Sequence, residues 1–127
     1  MSVKQPSEIS ATFGKLYNDR NKSGLLDLYA PDAVFTFDGT TTARGLAEIE
    51  KALSPFFDEP FKITVECVAC HQSGDTALVC SDWKLTAPDG SVAMAGASAE
   101  ILRRGADGRW RFVVDDATFA SRRTLSK

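Results

Sequence analysis

The sequence predicts an α+β fold in which three N-terminal helices pack on a strongly curved, mainly antiparallel β-sheet. Residues 61–117 form long segments rich in β-branched and aromatic residues, separated by short turns that contain glycine, which is the pattern of a β-meander. Upstream of residue 61, apolar residues instead recur at the spacing of amphipathic helices. Because each helix has one apolar face to bury, we expect the helices to cover one face of the sheet.

Length and composition narrow the class of protein. A chain of 127 residues fits one domain, which we expect to have its core between about residues 7 and 119. The net charge of -2 argues against a nucleic acid as main partner. The chain has no apolar run of about 18 residues, and residues 1–15 lack the apolar core of a signal peptide. We therefore expect no membrane partner and a cytoplasmic location.

The N-terminal half predicts three helices. The first begins after Ser7, a good N-cap, and lasts about three turns. Ser23 can cap a short second helix that Pro31 stops, and a third opens at Gly45 and ends before Pro60. Their apolar faces comprise Ile9, Phe13, Leu16 and Tyr17 in the first helix, Leu25, Leu26, Leu28 and Tyr29 in the second, and Leu46, Ile49, Leu53, Phe56 and Phe57 in the third.

Two short strands, residues 33–37 and one ending at Arg44, are predicted between the second and third helices. The strands of the meander are residues 61–71, 76–87, 92–104 and 109–117, and the turns between them are residues 72–75, 88–90 and 105–108. If the first turn pairs His71 with Thr76, then Cys67 lies directly opposite Cys80. In a reducing cytoplasm, we expect both cysteines to serve as small apolar packing residues.

Three stretches of the chain resemble a known family. They are the run Leu26-Asp27-Leu28-Tyr29-Ala30-Pro31-Asp32-Ala33-Val34-Phe35, the triplet Ala43-Arg44-Gly45, and Gly108-Arg109-Trp110-Arg111-Phe112. Together they are similar to the SnoaL-like and DUF4440-like branch of the NTF2-like superfamily, over about residues 7–119. This resemblance implies a cone-shaped domain with a cavity between helices and sheet, no cofactor, and a homodimer formed through the outer sheet face. It does not imply one activity, because the fold supports enzymes and association domains alike.

Ketosteroid isomerases, within the same superfamily, combine an aspartate base after the first strand with a tyrosine on helix one and a protonated aspartate on the meander. Matching residues 29–33 to the equivalent isomerase run places Phe37 at the base position and Phe13 at the tyrosine position. Anchoring the last hairpin on Gly108 places Glu100 near the third acid. Phenylalanine can neither take a proton nor donate a hydrogen bond, so the resemblance disfavours that mechanism here.

The acidic candidates are Asp38, Asp82, Glu100, Asp115 and Asp116. Of these, Glu100, Asp116 and Asp38 are the predicted catalytic residues. A one-residue slip of the first strand would restore Asp38 as a base, although a slip also reverses the face to which side chains point. Glu100 stands in a strand of small residues that leaves room for a ligand, and burial there would raise its pKa. Strict alternation in the last strand places Asp116 on the face of Trp110 and Phe112, so Asp116 is predicted to point inward.

Each of these acids also has a structural interpretation, because it can be solvated at a strand end or, as Asp115 could be, paired with an arginine. The predicted ligand contacts are Phe13, Tyr17, Phe37 and Trp83. Tyr17 and Trp83 can equally be core aromatics whose polar atoms find backbone partners.

Residues 67–71, Cys-Val-Ala-Cys-His, match the attachment motif of c-type haem. They lie in a predicted strand, where Cys67 and Cys70 point to opposite faces and cannot jointly reach one porphyrin edge. The same geometry weakens a zinc site made of these residues and Cys80. We therefore expect no metal and no haem, and we expect His71, beside a turn, to be exposed.

Two functional hypotheses remain. The first is a small cofactor-free isomerase, cyclase or dehydratase that uses Glu100 and Asp116 on a small hydrophobic molecule. The second is a non-catalytic ligand-binding or dimeric association domain, favoured by Phe13 and Phe37 at the positions of isomerase catalytic groups. Apolar residues on both faces of the meander agree with a homodimer, because one face meets the helices and the other needs a partner.

Overall fold

The computed structural model describes residues 2–122, and it contains the three predicted helices on one six-stranded sheet. A short 3-10 helix, Pro6–Glu8, leads into α1, Ile9–Asn18. The other helices are α2, Lys22–Leu26, and α3, Gly45–Phe57. The predicted caps differ from those observed. Ser7 lies inside the 3-10 helix, and α2 is capped by Asn21, whose Oδ1 accepts a hydrogen bond of 2.9 Å from the Gly24 amide.

The strands are β1, Tyr29–Thr36, β2, Thr42–Arg44, β3, Lys62–Ser73, β4, Thr76–Thr86, β5, Val92–Arg104, and β6, Trp110–Asp116. Their order across the sheet is β2-β1-β6-β5-β4-β3. All neighbours run antiparallel except β1 and β6, which are parallel. The four meander strands therefore agree with the prediction within one or two residues at each end.

The beginning of β1 differs from its prediction. The sequence predicts Tyr29 on the second helix, but it is the first residue of β1. Pro31 explains the difference, because the residue before a proline is disfavoured in the helical region and the proline itself cannot donate a helical hydrogen bond. The helix ends at Leu26, so the Tyr29 side chain belongs to the sheet and is buried beneath the helices.

A β-bulge in β3 changes the cysteine register. Ser73 pairs with Thr76 across a two-residue turn, and the pairing shifts at Val68, so that Cys67 lies opposite Ser81 and Ala69 lies opposite Cys80. The predicted direct pairing of Cys67 with Cys80 is therefore wrong. A bulge adds one residue to one strand only, which a sequence pattern of alternating side chains does not reveal.

A second bulge, in β6, reverses the faces of its last residues. Leu102 pairs with Phe112 and Ile101 pairs with Val114, so Val113 is the extra residue. Trp110 and Phe112 are buried, as alternation predicts, but Val114 is exposed and Asp115 is buried. The predicted inward orientation of Asp116 is wrong, because the extra residue moves every later side chain to the opposite face.

The helices cover one face of the sheet. Helix α1 packs against β3, and α3 packs against β1. The core between helices and sheet contains Ile9, Leu16, Ile49, Leu102 and Trp110, all buried. Within residues 2–122, no helix combines the length and the apolar character that crossing a lipid bilayer requires.

Candidate functional site

A cavity of about 90 Å³ lies between the helices and the inner face of the sheet. Its volume is of the same order as the engineered cavity of roughly 150 Å³ that accepts benzene. Its walls are mostly apolar, and six of the eight phenylalanines of the chain contribute to them. The lining residues are Ser10, Phe13, Tyr17, Leu25, Phe35, Phe37, Leu53, Phe56, Phe57, Ile63, Val65, Ser81, Trp83, Leu85, Ser98, Glu100, Phe112, Asp115 and Ala117.

Two acidic side chains meet at one wall of this cavity. Glu100 on β5 and Asp115 on β6 are direct partners across the sheet, and both side chains point inward. Glu100 is 5% exposed and Asp115 is 6% exposed. The buried Tyr29 hydroxyl on β1 donates a hydrogen bond of 2.6 Å to Asp115 Oδ2. Three adjacent strands thus bring one phenol and two carboxyl groups together.

The environment separates the pKa values of the two acids. Burial raises the pKa of Glu100 to about 9, and the neighbouring Asp115 charge adds to the rise. Burial also raises the pKa of Asp115, to about 6, but hydrogen bonds from Tyr29 and Glu100 favour its charged form. At neutral pH the pair therefore holds one proton, on Glu100, and one negative charge, on Asp115.

The Tyr29 hydroxyl keeps its proton under the same conditions. Burial and the nearby Asp115 charge raise the pKa of Tyr29 well above its usual range. The phenol is therefore a permanent hydrogen-bond donor to Asp115. This arrangement is the physical reason why Asp115, and not Glu100, carries the charge of the pair.

Serine hydroxyls extend the polar wall across the sheet. Ser98, opposite Ser81, hydrogen-bonds to the Glu100 carboxyl group, and its hydroxyl also donates to the Ser81 carbonyl oxygen at 3.3 Å. Ser81 Oγ in turn lies 2.6 Å from Ser10 Oγ on α1. The cavity consequently has one polar wall, with hydrogen-bonding groups in a continuous line, and several apolar walls.

Aromatic side chains held by backbone contacts form the apolar walls. The Trp83 indole donates a hydrogen bond of 2.6 Å to the Ala117 carbonyl oxygen, and the Tyr17 hydroxyl donates one of 2.7 Å to the Phe56 carbonyl oxygen. The Phe37 ring lies between the rings of Phe56 and Trp83, and its centroid is 5.4 Å from that of Phe56 and 6.0 Å from that of Trp83. Because their polar atoms are satisfied elsewhere, these walls offer apolar surface and ring faces.

The structure brings together five of the seven predicted site residues. Glu100 and the four predicted ligand contacts, Phe13, Tyr17, Phe37 and Trp83, all line the cavity. The structural alternative for Tyr17 and Trp83 is also present, since both are buried and bonded to backbone carbonyls.

Asp38 and Asp116 lie outside the cavity. Asp38 is exposed and accepts hydrogen bonds from the Thr40 and Thr41 amides, which lower its pKa to about 2. A carboxylate held in this way is a poor base and serves the turn. Asp116 pairs with the Arg122 guanidinium and accepts a hydrogen bond from the Thr118 amide.

Sequence reasoning did not assign Asp115, Tyr29 or the serines to the site. Asp115 is one of the acidic candidates, but the bulge that turns it inward has no signal in the residue pattern. The extended conformation of Tyr29 does have a sequence signal, because Pro31 favours extended backbone in the residues just before the proline. Ser81 and Ser98 occupy inward positions of regular strands, so alternation could have indicated them.

The cysteines and the histidine do not form a site with one another. Cys67, Cys70 and Cys80 are free thiols and partly buried, and His71 is exposed near the end of β3. Among the side chains of residues 2–122, no group of three or more His, Cys, Asp or Glu residues is placed to hold a metal ion.

Solved structures with similar folds include several proteins of the cone-shaped type. A candidate calcium/calmodulin-dependent protein kinase type II association domain from Thiobacillus denitrificans is 20% identical, with 93% of this chain and 97% of that chain covered and a TM-score of 0.79. An NTF2-like protein with a cystatin-like fold from Novosphingobium aromaticivorans is 19% identical, with 93% and 81% covered and a TM-score of 0.78.

A ketosteroid isomerase-like protein from Erwinia carotovora atroseptica is 24% identical, with 88% of this chain and 92% of that chain covered and a TM-score of 0.70. At these identities the similarity establishes the fold, which is the NTF2-like cone, and not the activity. No curated protein matches the sequence. The model of the SnoaL-like domain matches residues 11–113, and the chain therefore belongs to the SnoaL-like family of the NTF2-like superfamily.

Proposed function

We propose that the protein binds a small, mostly apolar molecule in this cavity and transfers protons on it with Glu100 and Asp115, without a cofactor. The observation that supports the proposal is the buried carboxyl pair on the wall of an aromatic cavity. One member is protonated and the other is ionised at neutral pH. Two acids whose pKa values are pushed apart in this way can act as general acid and general base.

The proposed reaction is proton transfer at a carbon next to a carbonyl group. Asp115 takes the proton from that carbon, and the electron pair of the broken C–H bond forms the carbon–carbon double bond of an enol. The carbonyl oxygen receives the displaced π pair and takes the proton of Glu100. Tyr29 stabilises the Asp115 charge before the step and keeps the carboxylate in place. Return of a proton to the same or another carbon gives exchange or isomerisation.

Cyclohexanone provides a direct test, because it is small, apolar and exchanges its α-hydrogens slowly in water. We expect the protein to accelerate deuterium incorporation from D2O, measured by NMR, and Asp115→Asn to lower that rate about a hundredfold, because an amide cannot act as a base. Asp82→Asn, which removes an exposed carboxylate from β4, is the matched control and should retain the rate. Exchange no faster than in buffer, or equal in both variants, contradicts the proposed chemistry.

A second candidate function, assembly through the outer sheet face, is supported by a row of apolar side chains. Val34, Val114, Ile101 and Leu78 are in register across β1, β6, β5 and β4. Leu78 is 39% exposed and Val114 is 42% exposed. We propose that a second copy of the chain covers this row and forms a homodimer. The similarity to a candidate association domain motivates this proposal without deciding it.

Light scattering coupled to size-exclusion chromatography tests the dimer. We expect a dimer at micromolar concentration, and we expect Leu78→Lys to yield a folded monomer, because a buried ammonium without a partner opposes association. Val92→Lys is the control, since Val92 is 55% exposed and lies at the opposite end of β5 from Ile101. A monomeric parent protein, or a dimer unaffected by Leu78→Lys, argues against this interface.

A further inference from the structure

The charge of the polar wall has no positive counterpart inside the cavity. Of the lining residues, all within the described part of the chain, none is Lys, Arg or His. The third carboxylate nearby, Asp116, raises the pKa values of Glu100 and Asp115 further. The Arg122 guanidinium pairs with Asp116, which does not line the cavity. The Asp115 charge is therefore stabilised by hydrogen bonds alone.

The aromatic walls of the cavity also favour a positively charged ligand. Eight lining residues are aromatic: Phe13, Tyr17, Phe35, Phe37, Phe56, Phe57, Trp83 and Phe112. The faces of aromatic rings attract cations, most strongly where water is excluded. Contacts between neighbouring rings fix the ring positions, as Phe56 and Trp83 fix Phe37. The space among them is consequently present without rearrangement.

We infer that this cavity selects small organic cations, in which an ammonium group next to an apolar ring meets the Asp115 carboxylate while the ring contacts the aromatic walls. The inference rests on the proposed function, since it assigns a ligand class to the same cavity. The ammonium group supplies the missing positive charge, and hydroxyl oxygens of Ser81 and Ser98 can accept its further hydrogen bonds. A neutral ligand of the same shape gains the apolar contacts without the ion pair.

Three probes with the same ring separate these contributions. Benzylamine, which is protonated at pH 7, benzyl alcohol and benzoate differ mainly in charge, and isothermal titration calorimetry measures their affinities. We expect benzylamine to bind about tenfold or more tightly than benzyl alcohol, and benzoate to bind least. Asp115→Asn should bring the ratio of the first two affinities close to one. Asp82→Asn, with the same charge change on the outer face, should leave that ratio unchanged.

The possible outcomes separate this inference from the proposed function. Benzyl alcohol binding as tightly as benzylamine, or a preference for benzylamine that survives Asp115→Asn, overturns the inference and leaves the cavity as a site for neutral molecules. Failure of all three probes to bind overturns both proposals. A preference for benzylamine without any exchange of cyclohexanone supports the inference and contradicts the proposed chemistry. If Asp115→Asn does not fold, the comparison of probes on the unsubstituted protein decides.

Discussion

Glu100→Gln is expected to be more stable than the parent protein at pH 9, by roughly 5 kcal/mol, and nearly equal to it at pH 5. The pKa of Glu100 lies at about 9 in the folded protein, against an ordinary value of 4.5. Between these values the folded state holds a proton that the unfolded chain has released. The stability that protonated Glu100 contributes is therefore fully present below about pH 4.5 and decreases as the pH rises toward 9.

Glutamine removes this dependence because it has no proton to lose. Its amide group can still donate a hydrogen bond to the Asp115 carboxylate, in place of the Glu100 carboxyl proton. Chemical denaturation of both proteins at several pH values between 5 and 9 measures the difference in free energy of unfolding. Groups that titrate in this range without interacting with Glu100 cancel in that difference, whereas Asp115 interacts with Glu100 and can add to it.

Glu66→Gln is the matched control, because Glu66 is exposed on β3. It should follow the pH profile of the parent protein. A difference between Glu100→Gln and the parent that stays constant from pH 5 to pH 9 contradicts the proposed protonation of Glu100. A large loss of stability at every pH would identify Glu100 as a residue that stabilises the fold. It would contradict the interpretation that Glu100 is a functional acid whose burial lowers the stability of the protein.

Gly96→Ala is expected to destabilise the protein by about 1 to 3 kcal/mol and to displace the Trp83 indole. A Cβ atom at position 96 would lie 2.7 Å from Trp83 Cζ2 and 2.9 Å from Cε2. The indole cannot move freely, because its Nε1 donates to the Ala117 carbonyl oxygen and its ring lies beside Phe37. The added methyl group should push the ring into the cavity and weaken the binding of benzylamine or benzyl alcohol.

Thermal denaturation and tryptophan fluorescence measure this effect, and Gly14→Ala provides the contrast. Gly14 is buried within α1, where an added Cβ atom meets Val65 Cγ2 at 3.5 Å, an ordinary contact distance. That variant should be more stable by about 0.5 to 1 kcal/mol, since alanine favours a helix interior over glycine. Equal stability and unchanged fluorescence in Gly96→Ala would contradict the assigned position of the indole.

Residue patterns determined the architecture of this protein. Helix periodicity, the prolines and the turn glycines place three helices before a long meander, and the structure has both. The aromatic walls followed as well, because Phe13, Tyr17 and Trp83 lie in regular elements whose inward faces are apolar, and Phe37 directly follows β1. Glu100 was predictable from the resemblance and from the small residues of its strand, and burial in β5 alternates from Ser98 to Leu102.

Only the tertiary structure decided which second acid joins Glu100. A single extra residue at Val113 turns Asp115 inward and Asp116 outward, and a bulge depends on how two strands pair and not on the composition of either one. The role of Tyr29 likewise required the parallel pairing of β1 with β6, which brings a residue 86 positions away in sequence within hydrogen-bonding distance of Asp115. The charges of the site arise from burial and from these partners, because an acid in the unfolded chain has neither.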